Sequence, residues 1–524
     1  MSFAKVSSAQ SHLLKAHLIS VETDISNGAL HSFSLVGLPD KAVEESRDRV
    51  SAAIKNSGFK SPKSTNAKIV VSLAPADLKK EGPAFDLPIA LSYLLASGEA
   101  RFEPEGKLFI GELALDGTLR PIDGALAYAR LAKSLGIKEV YLPSDNAAEA
   151  AVIDGIEVYG AKRLKDVLSH LDPKASPSGE KASEDALSPV ATIDPSSLVV
   201  EADRRSELDD VIGQEAAKRG LVIAAAGRHN IALFGPPGTG KTMLARALQS
   251  ILPPLSFEEM LEVTEIHSVA GCLEESLVTR APVRAPHHTS SYVSLVGGGA
   301  VPKPGEITLA HRGILFLDEF PEFEKRVIEA LRQPLEDRVV TVSRAKGTAR
   351  FPAHFILVAA LNPCPCGNRG IKGKTCACAP RDIARYERKI SGPIMDRIDM
   401  WIEVSRVDHD KLMRKRVGSQ ETEIARTKVA KARERQIKRF AELGIDAVSN
   451  SSVNARDIAK AANLSEAAEE SLNKAAKAHD LSGRGYHRTV KLARTIADIE
   501  GSDSIEPQHV LEALQYRQKH FKLD

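Results

Sequence analysis

A glycine-rich loop at residues 235–242 holds the clearest chemistry in this sequence. It reads Gly-Pro-Pro-Gly-Thr-Gly-Lys-Thr, follows the apolar run 231–234 and precedes apolar residues at helical spacing in 243–248. A strand, a G-x-x-x-x-G-K-[ST] loop and a helix in this order are typical of a phosphate-binding P-loop. Backbone N–H groups surround the phosphates, while Lys241 reaches the β- and γ-phosphates and Thr242 ligates Mg²⁺. The predicted nucleoside triphosphate site comprises Gly235, Pro236, Pro237, Gly238, Thr239, Gly240, Lys241 and Thr242.

Two more apolar runs end in polar side chains that such a site needs. Residues 313–319 read Gly-Ile-Leu-Phe-Leu-Asp-Glu, and the apolar run 355–362 ends in Asn362. Ligands of open α/β sheets bind at the carboxyl ends of the strands, where these polar groups lie. We therefore expect Asp318 to hold Mg²⁺, and Glu319 to polarise the attacking water.

Four of the five cysteines lie within fifteen residues. They form two C-x-C pairs separated by a glycine- and lysine-rich loop: Cys364, Cys366, Cys376 and Cys378. Four closely spaced thiolates suit a closed tetrahedral Zn²⁺ site, which would be structural because no ligand position stays open. Free thiols are the alternative, whereas a disulfide is not expected in a reducing cytosol.

The composition, 43% hydrophobic and 27% charged, is that of a soluble globular protein. No apolar run approaches the roughly 20 residues that cross a bilayer, and the first residues show no basic segment followed by an apolar core. We therefore expect a cytoplasmic protein without a membrane partner. Because the formal net charge is only +2, any contact with nucleic acid must come from local basic patches.

Two basic segments are candidates for such patches. Residues 338–351 alternate like a β-hairpin and place Arg344 and Lys346 at its tip. Contacts between these cations and phosphates would hold DNA in a salt-dependent manner without sequence preference. Residues 423–440 predict a strongly basic helix that could also contact DNA. The alternatives are ordinary turn residues in the hairpin and a solvated face on the helix.

The pattern of predicted elements divides the chain into four parts. Residues 1–172 combine strands with amphipathic helices, which indicates a mixed α/β domain. Residues 173–198 are rich in Ser, Pro and charge and predict a flexible linker, with an ordered surface loop as the alternative. Residues 199–405 alternate strands and helices, as in a parallel α/β core, and carry the cysteine loop 364–378. Residues 406–524 are predicted to form a helical lid.

Apolar periodicity also predicts the individual elements. In the first part we expect strands at 16–24, 68–73 and 138–143, helices at 41–58, 85–97 and 125–135, and a hairpin at 111–121 with Asp116-Gly117 at its turn. In the third part we expect a helix at 215–228, directly before the strand that leads into the P-loop.

The first part resembles the proteolytic domain of Lon-type proteases, which has a ribosomal protein S5 domain 2-like fold. The resemblance rests on three segments, 81–86, 111–117 and 119–124. At the places of the Lon nucleophilic serine and its lysine partner, this sequence has Ala84 and Leu126. An alkyl side chain can neither attack a carbonyl nor take a proton. The resemblance therefore implies the fold without the protease, as a module for partner binding or ring assembly.

The third part resembles the AAA+ ATPases, in which an amide in the place of Asn362 (sensor 1) orients the nucleophilic water. Residues 391–399, Ser-Gly-Pro-Ile-Met-Asp-Arg-Ile-Asp, are similar to the arginine-finger segment of the magnesium-chelatase and MCM branch. The resemblance implies that Arg397 reaches the γ-phosphate of a neighbouring subunit and stabilises the transition state there. In the place of sensor 2, Arg484 is the better match and Arg488 the alternative.

Across nearly its full length, the chain resembles the bacterial ComM/YifB family of magnesium-chelatase-like AAA+ proteins. The resemblance implies a homo-hexameric, ATP-driven helicase that promotes branch migration of branched DNA during homologous recombination in natural transformation, with single-stranded and branched DNA as its partners. It also implies ATP and Mg²⁺ as cofactors and recombination proteins as further partners. A motor subunit of a metal chelatase and a protein-remodelling ATPase or Lon-like protease are the alternatives.

Overall fold

The computed structural model describes residues 2–12, 14–27, 30–174, 187–192, 207–299, 302–344, 347–370, 374–407 and 420–517. Most of the predicted linker, 173–198, lies outside these residues. The chain divides into two compact units. The first contains residues 1–199 and 257–278, and the second contains residues 200–256 and 279–524.

The first unit is built on a seven-stranded mixed sheet. Its elements up to residue 171 are β1 (Phe3–His12), β2 (Lys15–Asn27), β3 (Ser32–Val36), α1 (Lys41–Asn56), β4 (Ala67–Ala74), α2 (Asp86–Ser97), β5 (Lys107–Phe109), β6 (Glu112–Leu113), β7 (Leu119–Arg120), α3 (Ala125–Ser134), β8 (Glu139–Pro143), α4 (Ser144–Ala150), β9 (Glu157–Ala161) and α5 (Leu164–Leu171). The strand order is β3-β4-β2-β1-β5-β8-β9. The β1–β2 and β2–β4 pairs are antiparallel, and the other neighbours are parallel.

Each element that periodicity predicts in this unit is present, with ends shifted by a few residues. The predicted strands correspond to β2, β4 and β8, the helices to α1, α2 and α3, and the hairpin to the antiparallel pair β6–β7. The strand β1 is not predicted, because Phe-Ala-Lys-Val-Ser-Ser-Ala-Gln-Ser-His contains few large apolar residues. Ten residue pairs with β2 nevertheless form along it, since its small side chains fit the buried sheet.

The remaining sequence up to residue 403 continues with a second set of elements. In chain order these are α6 (Glu215–Gly227), β10 (Ile231–Phe234), α7 (Lys241–Ser250), α8 (Phe257–Ala270), β11 (Val283–Arg284), α9 (Tyr292–Val296), β12 (Gly297–Gly298), β13 (Lys303–Pro304), α10 (Glu306–Leu309), β14 (Ile314–Leu317), α11 (Lys325–Ala330), α12 (Arg332–Asp337), β15 (Val339–Arg344), β16 (Gly347–Pro352), β17 (Ile356–Leu361), α13 (Pro380–Glu387), α14 (Gly392–Met395) and β18 (Met400–Glu403). All of them except α8 belong to the second unit.

The second unit contains a five-stranded parallel sheet with the order β11-β14-β17-β10-β18. All six residues of β17 and all four of β14 are buried, as expected for parallel strands covered on both faces. The strands β15 and β16 form the predicted hairpin as a separate antiparallel pair. The predicted helix at 215–228 is α6, and Arg228 ends it in the left-handed conformation.

The helix α8 belongs to the first unit, although the boundaries drawn from the sequence assign it to 199–405. Its Ser268 hydroxyl accepts a hydrogen bond from Gly124 N (2.8 Å) and donates one to Glu149 (2.6 Å). The same Glu149 carboxylate accepts from Leu126 N at 2.9 Å. Burial raises the pKa of Glu149 above its ordinary value, while these hydrogen bonds oppose the shift. A buried polar network of this kind attaches α8 firmly to α3 and α4, and local periodicity cannot reveal it.

The lid consists of α15 (Glu421–Leu443), α16 (Ile458–Ala462), α17 (Glu466–Ala478), α18 (Gly483–Glu500) and α19 (Pro507–Gln515). Part of the basic charge predicted for 423–440 is used inside the unit. Arg433 donates to Ala225 O (2.9 Å), and Arg439 pairs with the buried Asp498 (2.6 Å). No helix in the described part of the chain combines the length and the apolar content that a bilayer span requires.

Candidate active site

The predicted P-loop lies between the carboxyl end of β10 and the first turn of α7. Gly238 and Gly240 adopt φ angles of 76° and 92°, which favour glycine because a Cβ disfavours the left-handed region. Gly235 is required for a different reason, since a Cβ there would lie 2.2 Å from the carbonyl oxygen of Val404. Thr239 steadies the turn by donating to Pro236 O at 2.9 Å. The loop thus has the curvature that directs backbone N–H groups toward a phosphate.

The Lys241 ammonium lies largely buried inside this loop. It donates to Gly235 O at 2.7 Å, to Pro236 O at 2.8 Å and to Asn362 Oδ1 at 3.0 Å. Burial lowers the pKa of Lys241, and the carboxylates of Asp318 and Glu319 act in the opposite direction. The structure therefore brings the P-loop lysine, the predicted sensor 1 amide and the two acidic residues into one site.

Asp318 and Glu319 follow β14 directly, and Asp318 contacts the first turn of α7. The Thr242 hydroxyl donates to Asp318 Oδ2 at 3.0 Å, while Asp318 Oδ1 accepts from Glu319 N at 2.9 Å. A hydroxyl and a carboxylate oxygen in contact form the donor set that a hard cation such as Mg²⁺ prefers, so these residues fit the expected ion. The sheet order explains the convergence, because β14, β17 and β10 are successive neighbours whose carboxyl ends meet at one edge.

A histidine that the sequence leaves without a function touches the predicted water-activating residue. His288 Nδ1 lies 3.1 Å from Glu319 Oε2. Glu319 itself adopts φ 50°, an unusual conformation for a non-glycine residue, and such conformations cluster at functional sites. The ring of His287 lies 4.2 Å from that of His288, centroid to centroid, and its Nδ1 is 2.8 Å from Thr289 Oγ1. What the structure shows for this pair is the contact of His288 with Glu319.

The two predicted arginines lie together, away from the P-loop of their own chain. Arg397 and Arg484 both donate to the Glu336 carboxylate, Arg484 at 3.1 Å. Arg397 also donates to Pro393 O at 2.7 Å and lies just before β18, at the amino edge of the sheet. The alternative sensor 2 residue, Arg488, donates instead to Ile398 O at 3.2 Å. Since the P-loop follows the carboxyl end of β10, Arg397 and the P-loop lie at opposite edges of one sheet.

A cavity of about 760 Å³ opens beside Arg397 and Arg484. Four further arginines line it: Arg488 and three that have positive φ angles, Arg228 (54°), Arg312 (63°) and Arg338 (57°). Burial lowers the pKa of Arg338 to about 10, assisted by the charge of Arg228. Burial and the Arg338 charge also hold the pKa of His354 far below its ordinary value. The carboxylates on the lining are Glu336, Asp337, Asp396, Asp399 and Asp446. The arginines follow different elements, so their convergence has no local sequence signal.

The four clustered cysteines come together as their spacing predicts. Their Sγ atoms all lie within 4.8 Å of one another, and none forms a disulfide. The Sγ atom of Cys364 is 3.4 Å from that of Cys366 and 3.6 Å from that of Cys376. Tetrahedral Zn–S bonds of about 2.3 Å require sulfurs about 3.8 Å apart, so the spacing fits the ion. Backbone groups also donate to sulfur, among them Cys366 N to Cys378 Sγ and Arg369 N to Cys364 Sγ, both at 3.4 Å.

The two predicted DNA-binding residues are only partly accounted for. Arg344 ends β15, at the tip of the hairpin, and Lys346 lies outside the described residues.

Neither of the two positions that would need Lon catalytic groups carries one. Leu126 is buried in α3, and the carbonyl oxygen of Ala84 accepts from Gly111 N at 2.9 Å.

Comparison with known proteins adds family relationships to this geometry. Three family models match: "Subunit ChlI of Mg-chelatase" over residues 21–146, "Magnesium chelatase, subunit ChlI" over 207–412, and "Magnesium chelatase, subunit ChlI C-terminal" over 419–517. Competence protein ComM of Haemophilus influenzae is 42% identical over 99% of this chain and 98% of its own length. The YifB protein of Salmonella typhimurium is 41% identical over 99% of this chain and 97% of its own. Lon protease 2 of Bacillus subtilis is 28% identical over 29% of this chain and 30% of its own.

Proposed function

The chain belongs to the ComM/YifB family of magnesium-chelatase-like AAA+ ATPases, and we propose that it is an ATP-driven DNA motor of the cytoplasm. It would act as a homo-hexameric helicase that promotes branch migration of branched DNA during homologous recombination in natural transformation. The observation that carries this choice is the 42% identity, over 99% of the chain, to a competence protein. Single-stranded and branched DNA would be its substrates, and recombination proteins its further partners.

ATP hydrolysis would use one half-site from each of two subunits. Gly238, Lys241 and Thr242 bind the phosphates, with Lys241 leaving its internal acceptors to reach the β- and γ-phosphates. Mg²⁺ held by Thr242 and Asp318 supplies positive charge that offsets the charge on the phosphoryl oxygens. Glu319 would take the proton of the attacking water, and Asn362, 3.0 Å from Lys241, would orient that water.

The second half-site would come from the neighbouring subunit. Arg397 precedes β18 at the amino edge of the sheet, whereas the nucleotide site lies at the carboxyl edge. With a finger at one edge and a phosphate site at the other, each subunit contacts its two neighbours through two different surfaces. Such a heterologous contact closes into a ring when the rotation between successive subunits adds up to a full turn. Arg484 shares Glu336 with Arg397, so we assign it to the same neighbouring phosphate. The hexamer is part of this proposal.

Zinc and DNA contacts complete the proposal. Cys364, Cys366, Cys376 and Cys378 would hold a structural Zn²⁺. Arg344 and Lys346 at the hairpin tip would contact DNA phosphates and move with each round of hydrolysis. The N-terminal unit would bind partners or support the ring, since it lacks a nucleophile at Ala84 and a lysine at Leu126.

A second candidate function is the motor subunit of a metal chelatase. The three magnesium-chelatase family models that match the chain favour it. A chelatase motor would couple ATP hydrolysis to separate porphyrin-binding subunits instead of DNA. Stimulation of the ATPase by DNA therefore distinguishes the two functions.

The decisive experiment is unwinding by the purified protein with ATP and Mg²⁺. A forked duplex and a four-way junction would serve as substrates, with the Lys241→Ala variant as the control that cannot hold the phosphates. We expect wild type to separate both substrates and to hydrolyse ATP faster when DNA is present. Clean ring formation without activity on either substrate would contradict the helicase proposal.

A further inference from the structure

The cysteine loop lies directly against the nucleotide site. Gly367 follows Cys366, and a Cβ at Gly367 would lie 2.6 Å from Cδ of Pro237 in the P-loop. Gly367 N also donates to Cys364 O at 2.9 Å, which closes a tight turn between the cysteines and the P-loop. At φ 73°, Gly367 adopts a conformation that glycine tolerates best. The backbone of the cysteine loop and the ring of Pro237 are therefore in van der Waals contact.

The loop is connected to the site by a second route. Asn362, whose side chain accepts from Lys241 at 3.0 Å, is two residues before Cys364. Cys364 is fully buried, and Arg369 in the same loop pairs with Glu387 of α13 at 2.8 Å. The turn that contains the first two cysteines is thus held between α13 and the phosphate-binding groups. A shift of this turn would move Asn362 and release Pro237 together.

The segment that carries the second pair of cysteines has little packing of its own. Residues 374–380, all within the described part of the chain, are exposed or half-buried, including Cys376 and Cys378. Such a segment buries too little apolar surface to offset the conformational entropy of ordering it. Four sulfurs within 4.8 Å would supply the missing free energy by binding a metal ion, because structural Zn²⁺ binding contributes directly to folding.

We propose that Zn²⁺ bound by the four cysteines makes this loop a wall of the nucleotide site, so that zinc occupancy controls ATP affinity. The metal holds the turn 364–367 against Pro237 and keeps Asn362 beside Lys241. Loss of the metal frees the loop, and the P-loop and the sensor amide lose their support at the same time. This inference rests on the proposed ATP site and is independent of any action on DNA.

The first test measures zinc and nucleotide binding in the full-length protein. We expect wild type prepared under reducing conditions to carry one Zn²⁺ per chain, determined by metal analysis. Removal of zinc with a chelator should weaken binding of a non-hydrolysable ATP analogue by about tenfold or more, comparable to losing one hydrogen bond to a charged group. Addition of Zn²⁺ should restore the affinity, which shows that the protein did not simply denature.

Two variants distinguish the effect of zinc binding from the effect of the contact between Gly367 and Pro237. Cys376→Ser should lose zinc and bind the analogue as weakly as the chelated protein, whereas Cys272→Ser, at an exposed cysteine outside the cluster, should match wild type. Gly367→Ala keeps all four thiols and should retain zinc, but its methyl group must displace Pro237 and should weaken analogue binding.

The proposal is overturned if wild type binds no zinc, or if zinc leaves without a change in analogue affinity. It is also overturned if Gly367→Ala binds the analogue like wild type. Because none of these measurements involves DNA, a failed unwinding assay would leave this result unaffected.

Discussion

Arg397 and Arg484 donate to the two oxygens of one carboxylate, that of Glu336. The two arginines come from different parts of the second unit, one before β18 and one in the first turn of α18. A single carboxylate between two guanidinium groups occupies the position that a phosphate of similar charge could take. This relationship supports the proposal that both arginines act on one target, and it suggests mixing experiments that separate the two halves of the site.

Mixing two inactive variants should restore ATPase activity. Arg397→Ala should lower kcat by about a thousandfold, and Lys241→Ala should abolish phosphate binding. In a mixed ring, a Lys241→Ala subunit still supplies Arg397 to the intact P-loop of an Arg397→Ala neighbour. We expect the mixture to hydrolyse ATP clearly faster than the small residual rate of Arg397→Ala alone, while Lys241→Ala alone is inactive. An inactive mixture that still forms rings would show that Arg397 acts within its own subunit; the same test applies to Arg484→Ala.

Glu319→Gln should separate binding from hydrolysis. The amide keeps the shape of the side chain but cannot take a proton from water. We expect normal binding of ATP and normal ring assembly, with very slow hydrolysis, measured by analogue titration, sizing and phosphate release. Turnover at the wild-type rate would remove Glu319 from its assigned role.

His288→Ala should lower kcat while leaving KM for ATP nearly unchanged. The imidazole lies 3.1 Å from the Glu319 carboxylate, and no hydrogen bond among the described residues joins it to the P-loop, so we expect it to act by positioning Glu319. Loss of that orientation should cost about tenfold or more in kcat. His288→Asn, which can still donate a hydrogen bond, should recover part of the rate. An increase in kcat would instead indicate that His288 holds the carboxylate away from the water.

Arg344→Ala combined with Lys346→Ala should weaken DNA binding without changing the ATPase activity measured in the absence of DNA. Each cation that contacts a phosphate releases counterions, so the slope of log K against log salt should fall by about two. Fluorescence anisotropy over a salt series measures both quantities. Lys474→Ala, which removes an exposed cation paired with Glu470 in α17, is the matched control and should leave the slope unchanged.

Asp498→Asn should destabilise the second unit strongly. Asp498 is 1% exposed at its side chain and pairs with Arg494 at 3.0 Å and Arg439 at 2.6 Å. Removing one partner of a buried ion pair leaves charge without compensation and costs about 3–5 kcal/mol. Urea unfolding followed by circular dichroism measures this free energy. Glu470→Gln, in an exposed pair with Lys474, should leave stability nearly unchanged; a similar loss in both variants would contradict this account.

Much of the fold follows from local patterns. The strands β10, β14 and β17 are short apolar runs followed by turn or polar residues, and this pattern indicates buried parallel strands. The strand β1 escapes prediction because it contains mostly small and polar residues, and pairing with β2 stabilises it. The assignment of α8 to the first unit also escapes prediction. It depends on Glu149 accepting from Ser268, 119 residues away in the chain.

The sequence by itself determined those parts of the site whose atoms are close along the chain. The eight residues of the P-loop are consecutive, and the four cysteines lie within fifteen residues, so local backbone geometry is enough to bring their groups together. Only the tertiary structure decided which distant groups meet. Glu336 accepts a hydrogen bond from Arg484, 148 residues away in the chain, and His288 contacts Glu319 although the two residues lie in different loops. Contacts of this kind depend on the order of the strands and the packing of the helices, for which a local run of residues carries no signal.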